Sequence, residues 1–245
     1  MPNYIAELNE YYHNNKLIIF VGSGVSMSLG YPNWKELAKL IIQELPIDST
    51  SIISTLEKEI ITPLQALDKI GHENRSLALN ALEEIFKKVK QTEQENSLPK
   101  IIGQNFSKII TTNYDKCIDK HISEDIQKVT YTNKFEFAKL TNYDNFLLKL
   151  HGDIDDKANC VLFTDQYENI YNKSIETPTN LLLKSLFINY TFLFVGLSMT
   201  DPYINYILHS LNLTFENYNR VHYWITSDKG KLNIPKLNIP KLNII

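Results

Sequence analysis

An amide, a carboxylate and an imidazole stand just past the ends of apolar runs in this chain. Lys108–Ile110 (KII) leads into Thr111-Thr112-Asn113-Tyr114-Asp115, and Phe146–Leu150 (FLLKL) leads into His151-Gly152-Asp153. Two further runs end in glycine and serine: Leu17–Phe20 (LIIF) before Val21-Gly22-Ser23-Gly24, and Phe192–Val195 (FLFV) before Gly196-Leu197-Ser198. Histidine titrates near neutrality and suits general-base work. The Asn113 amide can hold a sugar hydroxyl or a water, and Asp115 can accept from an amide; both can equally cap a following helix. Gly22-Ser23-Gly24-x-Ser26 permits close backbone approach and a phosphate at free N–H groups, or is simply a tight turn. Gly196 and Ser198 suit ribose or phosphate contact, while Asp201-Pro202 reads as a helix start. The other histidines, His13, His72, His121, His209 and His222, fall in helices, polar loops or flanks and read as surface or core residues.

To act together, these tips must share one side of a sheet. Strands are expected at 17–21, 107–112, 127–131, 145–150, 160–163, 191–196 and 221–226. Helices are expected at 3–15, with Ile5, Leu8 and Tyr12 on one side, and at 33–45, 115–122, 133–140, 165–172, 178–189 and 201–213. Asn33 with Glu36 has the spacing of a capping box. The alternation predicts an α/β fold: a Rossmann-like, mostly parallel sheet with helices on both faces, whose ligands bind beyond the carboxyl ends of the strands. Residues 46–100 read as a helical insertion within a single domain spanning 1–230. Residues 231–245 repeat KLNIP, KLNIP, KLNII; proline bars a regular helix there, leaving a frayed tail or a docking strip.

Composition narrows the function classes. The 245 residues carry a net charge of −3, which gives no broad case for nucleic-acid binding. No apolar run approaches the roughly 20 residues of a membrane span, and the first residues lack the pattern of a secretion signal. Cys117 and Cys160, the two cysteines, cannot build a four-cysteine zinc site or a disulfide framework. A cytoplasmic protein without a metal is expected. A dehydrogenase fingerprint fails because its third glycine falls on Met27 and no acidic residue ends a second strand about 20 residues on. A G-x-x-x-x-G-K-[ST] loop is also absent from the sequence.

Taken in order, Gly22-x-Gly24-x-Ser26 with Gly30-Tyr31-Pro32-x-Trp34, Thr-Thr-Asn113-Tyr-Asp115, Lys-Leu-His151-Gly152 and Val195-Gly196-Leu-Ser198 closely resemble the sirtuin fold over roughly 17–226. The resemblance is nearest the bacterial sirtuin-like effectors of antiphage defence, which cleave NAD⁺. Sirtuins carry G-A-G-x-S, G-I-P-D-F-R, Q-N-x-D, H-G and G-T-S motifs. Here Asn33-Trp34-Lys35 replaces D-F-R, Thr112 replaces the glutamine, and the deacylase zinc ribbon is missing.

The resemblance implies an NAD⁺ glycohydrolase with NAD⁺ as substrate, yielding nicotinamide and ADP-ribose. It implies that Asn113 orients the ribose and a water, His151 is the base, and Asp115 holds the nicotinamide amide. Gly22, Ser23, Gly24 and Ser26 would seat the pyrophosphate, Gly196 and Ser198 would line the adenosine ribose, and Trp34 would shield the nicotinamide. Because unchecked NAD⁺ loss is lethal, gating by a homo-oligomer or by a separate activator or sensor protein is expected. A non-catalytic NAD⁺ or ADP-ribose sensor and an NAD⁺-dependent deacylase are the alternatives.

Overall fold

The computed structural model describes residues 4–89, 95–172, 174–197, 202–214, 220–225 and 242–244. Seven strands form one sheet: β1 (Leu17–Val21), β2 (Lys108–Thr111), β3 (Gln127–Thr130), β4 (Phe146–Lys149), β5 (Thr191–Val195), β6 (His222–Ile225) and β7 (Leu242–Ile244). Their order is β3-β4-β2-β1-β5-β6-β7, and every pairing is parallel. Within the repeated tail, Leu242–Ile244 therefore pairs along β6.

All five residues of β1 are buried, as expected of a parallel strand covered on both faces. On one face Ile18, Phe20, Ile110, Leu148, Phe192 and Phe194 pack with α7 (Lys134–Ala138), α8 (Thr164–Tyr171), α9 (Pro178–Asn189) and α10 (Pro202–Thr214). On the other, Ile19, Val21, Ile109 and Leu147 pack with Ile102 of α6 (Leu98–Asn105). Leu17, Leu193 and Tyr223 meet α1 (Tyr4–His13) there. That helix offers Tyr4, Leu8 and Tyr11 to the sheet. Ile5 is exposed, so the expected Ile5–Leu8–Tyr12 face is displaced by one residue at either end.

A second core lies beside the strand tips. It is built by α2 (Trp34–Gln43), α3 (Thr50–Glu57), α4 (Pro63–Asp68) and α5 (Arg75–Lys88), and it closes on Tyr114, Cys160, Leu162 and Phe163. Asn33 caps α2 in the expected box, accepting from Glu36 N while Glu36 accepts from Asn33 N. Thr62 and Gln65 do the same for α4.

Two expected elements do not form. Residues 160–163 are extended, but they lie past the end of β4, where no ladder is available. Only Val161 N–H bonds across, to His151 O at 2.9 Å. Residues 115–122 form turns rather than a helix. The Asp115 carboxylate accepts from Cys117 N at 2.9 Å, an Asx turn that competes with helix initiation. No helix among the described residues is long and apolar enough to cross a membrane.

Candidate active site

The connections of β1 and β5 leave in opposite directions along the sheet, so their carboxyl ends frame the crevice where ligands bind in such folds. The two tips touch through glycine. Gly22 N donates to Val195 O at 3.0 Å, and Gly24 N donates to Gly196 O at 2.9 Å. A Cβ on Gly22 would lie 2.5 Å from Gly196 O, and Gly196 itself has φ +64°. No other residue type fits both positions without parting the strands.

Beyond this seam lies a cavity of about 310 Å³. Asn113, Asp115, His151, Ser23, Ser26, Trp34 and Gly196 all line it, joined by Tyr114 and Tyr167. Trp34, Leu37, Leu64 and Phe86 give it an apolar wall from the helices beside the tips. Gly22 and Gly24 shape the seam behind the cavity instead of lining it, and Ser198 lies outside the described residues.

A short hydrogen-bond chain fixes the amide. Asn113 Nδ2 donates to Gly22 O at 3.1 Å and to Ser26 Oγ at 3.3 Å, and Ser26 Oγ donates to Asp115 Oδ2 at 2.8 Å. Both amide protons are thus committed to the glycine turn, which leaves Asn113 Oδ1 as the acceptor a water or sugar hydroxyl can use. The turn's own N–H groups at Gly22, Gly24, Val25 and Ser26 are engaged within the protein. What the turn adds to the cavity is Ser23 and Ser26. Asp115 is likewise held at both oxygens, by Ser26 and by Cys117 N.

His151 follows β4 and is 3% exposed. Burial lowers its imidazole from the usual 6.5 to about 3, so the ring is neutral, with one unprotonated nitrogen, at physiological pH. Tyr171 Oη lies 2.9 Å from Nε2, and Tyr167 Oη lies 3.5 Å from Nδ1. Both tyrosines meet the ring edge-on. Their i, i+4 spacing on α8 presents two hydroxyls to one ring, a signal readable in the sequence once the helix is placed.

Lys149 is the other residue whose role emerges only in three dimensions. Fully buried between Leu148 and Leu150, its Nζ donates to Asp115 O at 2.7 Å and Tyr114 O at 3.3 Å, and pairs with Asp153 at 3.0 Å and Asp119 at 3.4 Å. Lys128 pairs with both carboxylates. Burial pushes the Asp153 carboxyl up, but Lys149 and Lys128 hold it down at about 2. A charged pin thereby ties the end of β4 to the loop carrying Asn113 and Asp115. A lysine inside an otherwise apolar strand run is the sequence signal for such a pin, because a buried charge requires partners.

Neither cysteine joins this chemistry. Cys117 and Cys160 are buried free thiols; burial and Asp115 raise the first, and burial pushes the second up to about 12. Among the described residues no cluster of three or more His, Cys, Asp or Glu could hold a metal ion.

The chain is 33% identical over 208 residues to "NAD(+) hydrolase ThsA" of Bacillus cereus (strain MSX-D12), covering 84% of this chain and 42% of that protein. It is 30% identical over 224 residues to the protein of the same name from Enterococcus faecium, covering 90% and 45%. It is also 30% identical over 209 residues to "Defense-associated sirtuin 2" of Bacillus subtilis, covering 84% and 20%. The chain thus spans less than half the length of these curated relatives. Residues 107–242 match the family described as "SIR2-like domain", a span that takes in β2 through the start of β7 and both Asn113 and His151. With its parallel sheet and strand-tip site, the chain belongs to the SIR2-like domain family.

Proposed function

We propose that this chain is an NAD⁺ glycohydrolase that cleaves the nicotinamide–ribose bond. The observation that carries the proposal is the convergence of Asn113 and His151, 38 positions apart in sequence, on one cavity with a glycine seam and an apolar wall. Relatives that share this span are named NAD⁺ hydrolases. A cavity of about 310 Å³ is at the small end of small-molecule sites, roughly 300–1,000 Å³, and suits the nicotinamide riboside end of the dinucleotide.

The reaction is NAD⁺ plus water to nicotinamide, ADP-ribose and a proton. As the C1′–N bond lengthens, its electron pair leaves with the pyridine nitrogen and positive charge develops on the sugar. A fixed acceptor and a neutral base lower that barrier by positioning and electrostatics. Asn113 Oδ1 orients the attacking water or a ribose hydroxyl, while Gly22 and Ser26 stop the amide from turning. His151, neutral because it is buried, takes the proton. Trp34 shields the ring, Asp115 and Ser26 set the nicotinamide side, Gly196 lines the adenosine ribose, and Ser23 faces the pyrophosphate.

We place this activity in antiphage defence, in the cytoplasm, where both free thiols stay reduced. Loss of NAD⁺ ends growth of the cell, so the activity is gated by self-association or by an activator protein. The test is to incubate the purified protein with NAD⁺, with and without an acetyl-lysine peptide, and to resolve the products by chromatography. Nicotinamide and free ADP-ribose in equal amounts, independent of peptide, support the proposal. Binding without nicotinamide release indicates a sensor, and peptide-dependent release indicates a deacylase.

A further inference from the structure

Both ring nitrogens of His151 face a tyrosine hydroxyl of α8, but the two environments differ. Tyr167 lines the cavity and lies 3.5 Å from Nδ1. Tyr171 is fully buried behind the ring, 2.9 Å from Nε2, and does not line the cavity. A neutral imidazole has one N–H and one lone pair, and the partners decide which nitrogen carries which. A buried N–H left without a good acceptor is costlier than an under-used lone pair. At 2.9 Å Nε2 and Tyr171 Oη form a well-made hydrogen bond in which either atom can be the donor, whereas an N–H at Nδ1 would find the Tyr167 oxygen only at the limit of hydrogen bonding. With Nε2 as the donor, Nδ1 carries the lone pair, on the side of Tyr167, which lines the cavity.

We propose that Tyr171 is the positioning residue of this site: its hydroxyl accepts from His151 Nε2–H and so holds the tautomer whose Nδ1 lone pair faces the cavity. The inference rests on the proposed role of His151 as base, and it adds which nitrogen does the work and what sets it. Its atom balance is simple. Nδ1 takes the proton, the imidazole becomes a cation with N–H at both nitrogens, and the Nε2–H···Oη bond persists throughout. The opposite tautomer would leave an N–H toward the cavity, a donor that cannot accept a proton there.

The test is a two-bond ¹H–¹⁵N correlation spectrum of the ¹⁵N-histidine-labelled protein at neutral pH, with the His151 signals identified by their loss in His151→Gln. A protonated Nε2 and an unprotonated Nδ1 support the proposal, and a protonated Nδ1 overturns it. This readout needs no catalysis, so it stands even if the chain proves not to hydrolyse NAD⁺. In Tyr171→Phe, which keeps the ring, the proposal expects mixed tautomers. It also expects kcat for NAD⁺ cleavage to fall roughly 10- to 100-fold, short of or equal to part of the ~10²–10⁴-fold that general-base catalysis supplies, with KM nearly unchanged. A Tyr171→Phe protein that keeps both the wild-type tautomer and the wild-type kcat overturns it, and if that variant does not fold the wild-type spectrum decides alone.

Discussion

Lowering the pH from 7.5 to 5 will destabilise this protein through two buried histidines. Burial holds His151 and His222 at about 3, against 6.5 for a free side chain. His222 has a further constraint: Phe192 N–H donates to its Nδ1 at 3.2 Å, so protonation there would remove the acceptor as well as bury a charge. Both groups are bases whose folded value is depressed. The unfolded chain therefore binds protons that the folded chain refuses, and stability falls as pH drops below 6.5. At pH 5 each histidine costs about 2 kcal/mol relative to pH 7.5, so the pair costs about 4 kcal/mol. That is a large share of a net stability of roughly 5–15 kcal/mol.

The window isolates the histidines, because Asp153, held at about 2, stays ionised in it and adds its own loss only below its usual 3.8. The assay is urea unfolding at pH 7.5, 6 and 5, followed by the fluorescence of Trp34 and Trp224. His222→Asn, whose Oδ1 can replace Nδ1 as acceptor, should remove about half the pH dependence. A stability that changes by less than about 1 kcal/mol across this range at constant m would refute the reasoning, because two buried neutral imidazoles cannot be silent there.

Two further perturbations address the positioning of the site. Gly22→Ala places a methyl 2.5 Å from Gly196 O and 2.8 Å from Leu197 Cα, both backbone atoms; we expect a loss of about 1–3 kcal/mol, read as a Tm lower by roughly 2–12 °C, together with loss of NAD⁺ cleavage because the carbonyl holding Asn113 shifts. Lys149→Met should cost up to about 3–5 kcal/mol by removing the fully buried cation and leaving its carboxylates to Lys128 and Lys116, whereas Lys128→Met, at a partly exposed end of the same cluster, should cost less, and equal losses in denaturant unfolding would contradict the assigned burial.

Much of the fold is legible because buried parallel strands are continuous apolar runs. Leu17–Val21, Phe146–Lys149 and Thr191–Val195 read as strands in sequence and are strands in the structure. The candidate site was legible for a related reason: polar or glycine residues that abruptly end such runs gather at one edge of a parallel sheet. What sequence reading missed depends on neighbours it cannot see. Val161–Phe163 has the composition of a strand but no partner beyond β4. The Asp115 carboxylate turns the chain locally, so the expected helix does not start. Lys149, Tyr167 and Tyr171 acquire roles only when β4, the Asn113 loop and α8 meet.

The most direct measurement is the rate of nicotinamide release from NAD⁺ by the wild type, Asn113→Ala and His151→Ala, each also titrated with NAD⁺ for binding. A shared site predicts that the wild type releases nicotinamide and ADP-ribose, and that each variant loses about 100-fold or more in kcat while retaining its fold and its capacity to bind. Variants that cleave NAD⁺ at the wild-type rate would contradict the account.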